Sequence, residues 1–71
     1  MKIDYTHHAR EQMAARGIGK GAVALCVKKF DVAMPDCGTT RLTRGNLVVI
    51  IERPMFPGQS PLVITAFKDN A

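Results

Sequence analysis

The sequence is poor in the residues on which several classes of protein depend. Its 71 residues include no tryptophan, one tyrosine, two histidines and two cysteines. Aromatic residues make up only 6% of the chain, so a hydrophobic core must be built from valine, isoleucine, leucine and methionine. The single serine, Ser60, lies in a proline-rich stretch, which argues against a Ser–His–Asp triad.

Other absences bear on the cellular compartment. Cys26 and Cys37 form no C-x-x-C motif, and the opening residues MKIDYTHHAR lack the apolar run of a secretory signal peptide. The longest apolar run, Leu47 to Ile51, is too short to cross a membrane. We therefore expect a cytoplasmic protein with no membrane contact and with free thiols, since a disulfide is disfavoured in that compartment.

The chain is moderately basic and small. Ten lysines and arginines against six acidic residues give a net charge of +4. This balance fits a polyanionic partner such as RNA or DNA, and it fits equally a basic domain with no such partner. We expect one domain, residues 1–71, whose core alone supplies only about 3–5 kcal/mol. A homodimer or a cognate protein partner would add to that stability.

The N-terminal third predicts two helices. Asp4 or Thr6 can cap a first helix over 7–16, which is rich in strong helix formers and is followed by Gly17. A second helix is expected over 20–30, because apolar residues recur there at helical spacing: Val23, Cys26, Val27 and Phe30. The cysteine in this stripe is expected in the core rather than as a nucleophile.

The remainder predicts strands over 39–44, 47–53 and 62–68, with a proline-rich loop over 53–61. Gly45-Asn46 is a tight-turn signal between the first two strands, and it pairs Arg41 with Ile50. The predicted fold is α+β, with two N-terminal helices on one face of a three-stranded, or slightly larger, antiparallel sheet.

Alternation along these strands predicts which side chains share a face. The hairpin has a wholly apolar face that should contact the helices: Leu42, Leu47, Val49 and Ile51. Arg41 lies in the middle of the opposite, mixed face. In the last strand, strict alternation places Val63, Thr65 and Phe67 together on one face.

The glycine-rich stretch GIGKG, residues 17–21, fits no nucleotide-binding loop. It lacks the spacing and the Ser or Thr of a phosphate-binding loop, and it matches neither the G-x-x-G of a KH domain nor the dinucleotide pattern. Its glycines are predicted to separate the two helices. His7 and His8 are adjacent, so a regular helix cannot aim both at one metal ion, and we expect no metal and no cofactor.

His8, Gln12 and Arg16 follow one another at intervals of four residues and are predicted to form one polar ridge on the first helix. The neighbouring strip, Ala9 and Met13, should contact the sheet. His8 then lies at the border of core and solvent, where histidine can act as a general acid or base. With arginine to bind phosphate, this inventory suits metal-independent cleavage of RNA; a purely structural role for the same residues is the alternative.

Two segments resemble a known family. The segment YTHHAREQMAARGI, residues 5–18, resembles the opening helix of a family of small bacterial domains of unknown function, with the pattern Tyr/Phe-Ser/Thr-x-His-Ala-x-x-Arg-Met-x-x-Arg-Gly-Ile. The segment VITAFK, residues 63–68, resembles that family's closing strand. The family is similar to the barnase–EndoU–colicin–RelE group of metal-independent ribonucleases, which includes toxins.

This resemblance implies a toxin-like ribonuclease with RNA on the sheet face away from the helices, and an antitoxin as a protein partner. The motif histidine corresponds to His8, the second motif arginine to Arg16 and the strand threonine to Thr65, which are the expected catalytic residues. RNA binding is expected from Gln12, Arg41 and Lys68. The first motif arginine is replaced by Gln12, which carries no charge, so a catalytically inactive module that binds nucleic acid or protein is the alternative.

Overall fold

A computed structural model of the protein describes residues 3–52 and 60–69. The elements, in chain order, are β1 (Asp4–Tyr5), α1 (His7–Arg16), α2 (Lys20–Lys28), β2 (Val32–Asp36), β3 (Thr39–Arg44), β4 (Leu47–Glu52) and β5 (Leu62–Lys68). Position 53 of the predicted second strand and most of the predicted loop lie outside the described residues. Neither described helix is long and apolar enough to span a bilayer.

The α+β class and the two helices are confirmed, whereas the prediction of a three-stranded antiparallel sheet is too coarse. The sheet has five strands in the order β1-β5-β4-β3-β2, and β1 runs parallel to β5 while the other neighbours are antiparallel. Both additional strands lie at the edges. α1 covers β5, and α2 covers β3 and β4 on the same face.

Helix α1 begins at a threonine cap and ends at a glycine. Thr6, rather than Asp4, is the cap, because its Oγ1 accepts a hydrogen bond from the Ala9 N–H at 3.0 Å, whereas Asp4 belongs to β1. Gly17 takes the left-handed conformation (φ 66°), and the Ile18 N–H then bonds to the Met13 carbonyl at 2.8 Å. This glycine-dependent ending satisfies carbonyls that the last turn leaves free.

Helix α2 ends two residues earlier than predicted. Its last residue is Lys28, so the chain leaves the helix before Phe30 can extend the apolar stripe, and Phe30 is 45% exposed. Arg44 Nη1 donates to the Lys29 carbonyl at 2.9 Å, and the Asp31 N–H bonds to the Thr43 carbonyl at 2.7 Å. These bonds turn the chain into the sheet, where it forms β2.

The hairpin register is the one predicted from Gly45-Asn46. Arg44 pairs with Leu47 and Arg41 with Ile50, and the Gly45 N–H of the turn donates a hydrogen bond to Oδ2 of Asp31, which precedes β2. The predicted apolar face does meet the helices. Its residues form one buried core with residues from both helices and from β5: Ala9, Met13, Ile18, Val23, Cys26, Val27, Leu42, Leu47, Val49, Val63 and Ala66, with Ile51 partly buried against them.

Strand β5 departs from strict alternation. Val63 and Ala66 are both buried in the core, although an uninterrupted strand would place them on opposite faces. The register against β4 shifts between Ile50 and Ile51, so that Ile50 faces Thr65 while Ile51 faces Val63. This irregularity inserts one extra residue and reverses the phase of the strand. The prediction that Val63 shares a face with Thr65 and Phe67 is therefore wrong.

Candidate functional site

The polar ridge of α1 lies on the protein surface. His8 and Arg16 are exposed and Gln12 is partly exposed. Arg16 Nε donates to Gln12 Oε1 at 3.0 Å, one helical turn away. This bond fixes the guanidinium along the helix without using its two Nη groups, which remain suited to a phosphate. His8 is more exposed than the border position predicted for it, because the core contacts of α1 are made by Ala9 and Met13.

The adjacent histidine is engaged differently. His7 Nε2 lies 2.8 Å from Glu11 Oε1, in an exposed pair one turn apart. No hydrogen bond or ion pair among the described residues involves His8. The described residues contain no group of three or more side chains that could hold a metal ion.

The two helices present a strongly basic surface. Residues 7–29 contain five basic side chains, all of them exposed, and Glu11 as the one acidic side chain. The five are Arg10, Arg16, Lys20, Lys28 and Lys29; together with Glu11 they give +4, which equals the net charge of the whole chain. We call this outer side of α1 and α2 the helical surface. This charge is visible in the sequence as a run of 23 residues with one acidic residue. The motif positions alone do not reveal it.

Lys20 connects the helical surface to the edge of the sheet. Its Nζ lies 5.8 Å from the centre of the Tyr5 ring, within the range of a cation–π contact. Tyr5 is half-buried against the core, and burial raises the pKa of its phenol above the usual value. The Tyr5 ring that contacts Lys20 is therefore uncharged, and Tyr5 adds no charge of its own near neutral pH.

The sheet face away from the helices, which we call the open face, has a different character. Cross-strand partners place Val32, Met34, Arg41, Thr43, Ile50, Thr65 and Phe67 on it. Arg41 lies over this face, with its guanidinium carbon 6.0 Å from the Phe67 ring and Nη2 4.0 Å from Asp69 Oδ2. Val48, between Thr43 and Phe67 in the same row, is fully buried.

The charge of the open face is close to neutral. Among the described side chains that we assign to it, Arg41 is the cation and Glu52 and Asp69 are acidic, so these three add to −1. Lys68 pairs with Leu47, whose side chain belongs to the core, and therefore lies on the helix side of the sheet at an exposed position. The open face offers less attraction for a polyanion than the helical surface does.

The predicted site residues therefore fall into separate groups. His8, Gln12 and Arg16 share one helix surface, and the structure joins the last two directly. Arg41 and Thr65 lie on the open face in one cross-strand row, with Ile50 of β4 between them. No hydrogen bond among the described residues connects the α1 group with Thr65. The three residues predicted as catalytic are thus not drawn together by contacts within the protein.

Comparisons with known proteins add no family. No protein-family model matches the chain, and neither the curated proteins nor the solved structures gave a significant match.

Proposed function

We propose that this protein binds RNA on its helical surface and cleaves the bound strand without a metal ion. The observation that carries the proposal is the segregation of charge, with +4 on the helical surface against −1 on the open face. Neutralising phosphates with lysine and arginine releases condensed counterions, which supplies most of the affinity in sequence-independent binding.

The α1 ridge supplies the groups that cleavage requires. The reaction needs a base for the 2′-hydroxyl, an acid for the leaving oxygen and cations for the charge on phosphorus. His8 is exposed and can serve as the base or the acid, and the Nη groups of Arg16 can hold the phosphate. The resemblance to toxin ribonucleases supports the same roles. We expect the protein to act in the cytoplasm, where RNA is present and thiols stay reduced.

Binding can be assigned to one surface with two charge-matched double variants. Arg16→Gln with Lys20→Gln removes two charges from the helical surface, and Arg41→Gln with Lys68→Gln removes two charges from the sheet. Fluorescence anisotropy with a labelled single-stranded RNA, titrated between 50 and 300 mM salt, gives the salt slope of the affinity. Each lost phosphate contact should lower that slope by roughly 0.7, so the helical pair should lower it by about 1.4.

The sheet pair is the matched control, since both proteins have the same net charge. A larger loss in the sheet pair than in the helical pair would move the RNA from the helical surface to the sheet. Equal, small losses in both would contradict specific binding to either surface.

Cleavage is tested with the adjacent histidines. Purified wild-type protein is incubated with RNA in EDTA, beside His8→Ala and His7→Ala. The proposal expects cleavage by the wild type and by His7→Ala, with a loss of at least about 100-fold in His8→Ala, the lower range for a general acid or base. Equal cleavage by His8→Ala would indicate a contaminating nuclease and refute the assignment.

A second candidate is a binding module without catalysis. Gln12 favours it, because an amide cannot neutralise phosphate where the family motif has an arginine, and because its oxygen is already bonded to Arg16. On this hypothesis the wild type binds RNA and leaves it intact. An acidic protein partner, such as an antitoxin, would cover the same helical surface and compete with the RNA.

Gln12→Arg separates the two candidates further. If the surrounding site is competent, restoring the motif charge should raise both affinity and cleavage. If the protein is only a binder, the substitution should raise affinity alone.

A further inference from the structure

We propose that the open face is the interface between two copies of this chain, so that the protein forms a two-fold dimer with both helical surfaces turned outward. The inference depends on the open face alone and not on RNA binding. Two of the most exposed large hydrophobic residues in the described part of the chain lie there, with Met34 60% and Val32 51% exposed. Ile50 and Phe67 are partly exposed beside them.

The composition of this face is that of a protein interface. Phenylalanine, methionine and arginine are enriched at the centres of protein–protein interfaces, and Phe67, Met34 and Arg41 occupy adjoining positions here. Arg41 Nη2 lies 4.0 Å from Asp69 Oδ2 of the same chain, a long ion pair. The opposite charge close to Arg41 partly offsets the cost of covering its guanidinium.

The distribution of charge favours a second copy over RNA or an acidic protein as the occupant of this face. An acidic protein or RNA is attracted to the helical surface, where the charge is +4, and gains nothing from a face at −1. Two open faces, by contrast, meet with little repulsion, whereas two helical surfaces would repel each other. The self-complementary surface is thus the open face, as a two-fold interface requires.

The sheet geometry indicates how the copies align. A two-fold axis parallel to the strands, between β3 and β4, lays β2 of one copy over β5 of the second. Val32 then meets Phe67 of the second copy, Met34 meets Thr65, and Arg41 meets Ile50 rather than the second Arg41. Sheets packed face to face keep their strands within about 30° of each other, which preserves these neighbours.

The available area predicts a reversible dimer. Four strands spaced by about 4.8 Å and six residues of about 3.4 Å give a footprint of roughly 400 Å² on each copy. Two such footprints cover about 800 Å². Because side chains make the surface uneven, the solvent-accessible area of each footprint is larger than this flat estimate. The flat estimate is below the roughly 1,000 Å² of a stable specific interface, so we expect weak, transient association with a dissociation constant in the micromolar range.

The test is sedimentation velocity of the protein alone from 1 to 500 µM at physiological salt. The wild type should pass from monomer to dimer over this range. Met34→Lys should weaken the dimer at least about tenfold, because it replaces an exposed apolar side chain of the interface with a charge. Leu25→Lys is the matched control: it adds the same charge at another exposed apolar residue, 42% exposed on α2, and should leave the dimer unchanged.

Circular dichroism and thermal unfolding establish that both variants remain folded. A wild type that stays monomeric to 500 µM would overturn the proposal, and so would equal weakening by the two lysine variants. In a mixture of labelled and unlabelled wild type, isotope-filtered NOEs between Val32 methyls and the Phe67 ring should appear. Because no nucleic acid is present, failure to detect a dimer would not bear on the proposed RNA binding. RNA titrations at nanomolar protein concentration test binding by the monomer separately.

Discussion

Replacing Thr6 by valine should destabilise the protein, because the Thr6 hydroxyl makes two hydrogen bonds. Thr6 Oγ1 accepts a hydrogen bond from the Ala9 N–H at 3.0 Å and donates one to the Ile64 carbonyl at 3.1 Å. One hydroxyl therefore caps α1 and also connects the helix to β5, across 58 residues of sequence. Valine keeps the shape and the β-branch of threonine but removes both bonds.

The magnitude follows from these two bonds. Loss of a helix cap costs about 1 kcal/mol, and loss of a partly buried hydrogen bond costs about 1 kcal/mol more. The expected decrease in unfolding free energy is therefore about 2 kcal/mol. For a domain of this size it corresponds to a fall in Tm of roughly 8–16 °C. The measurement is urea unfolding followed by circular dichroism, with ΔG obtained by linear extrapolation.

Thr43→Val is the matched control. Thr43 is partly exposed in β3, and its hydroxyl forms no hydrogen bond among the described residues. Valine suits a strand at least as well as threonine, so this variant should stay within about 0.5 kcal/mol of the wild type. The reasoning about Thr6 would be refuted if the two variants differed by less than 0.5 kcal/mol.

Three further predictions concern thiols, pH and the open face. In the folded protein one thiol should react with Ellman's reagent, that of exposed Cys37, and both should react in guanidinium, because Cys26 is fully buried and burial raises the pKa of its thiol. Because burial also raises the pKa of Tyr5, the stability it contributes is complete below pH 10 and is lost as pH rises through the folded-state pKa. Between pH 8 and 11, wild-type unfolding free energy should therefore fall more than that of Tyr5→Phe, measured by urea unfolding. Thr65→Val should leave RNA affinity unchanged in anisotropy titrations, since Thr65 faces away from the helices; a tenfold loss would place RNA on the open face.

The parts of the fold that sequence predicted well are those set by neighbouring residues. Gly45-Asn46 defines the hairpin register because a two-residue turn fixes every pair that follows it. Thr6 and Gly17 define α1 because capping depends on the residues at the helix ends themselves. In each case a few adjacent residues are sufficient to determine where the helix or the hairpin begins and ends.

The parts that sequence missed depend on contacts between distant segments. β1 is two residues long and exists because Asp4 and Thr6 bond to the chain at Pro61 and Val63. β2 contains Pro35 and follows no alternation, but an edge strand needs hydrogen bonds on one side only, so proline is tolerated. The shift in β5 is a property of its pairing with β4 and has no signature within residues 62–68.

The candidate site was predicted in part for a similar reason. Helical spacing was sufficient to place His8, Gln12 and Arg16 on one surface, because that relationship is local. It could not show that Thr65 lies across the sheet from the helices, since this depends on the shift in β5. The clustering of charge over residues 7–29 was present in the sequence, but its meaning depends on both helices lying on one side.

The structure also separates the residues of the family-like motif by role. The two segments that carry the resemblance touch each other, since β1 pairs with β5 and Thr6 bonds to Ile64. Six of residues 5–18 have a structural role, because each caps α1, ends it or packs in or against the core. They are Tyr5, Thr6, Ala9, Met13, Gly17 and Ile18.

Folding gives no comparable reason for the three ridge residues. His8 and Arg16 are exposed, and the Gln12–Arg16 hydrogen bond is an exposed helical pair worth only about 0.2–0.5 kcal/mol. Side chains that contribute little to stability, yet share one ridge on the basic helical surface, are the ones whose substitution should change function without changing the fold. His8→Ala, Gln12→Arg and Arg16→Gln should accordingly unfold like the wild type, so any change in RNA binding or cleavage reports on the site itself.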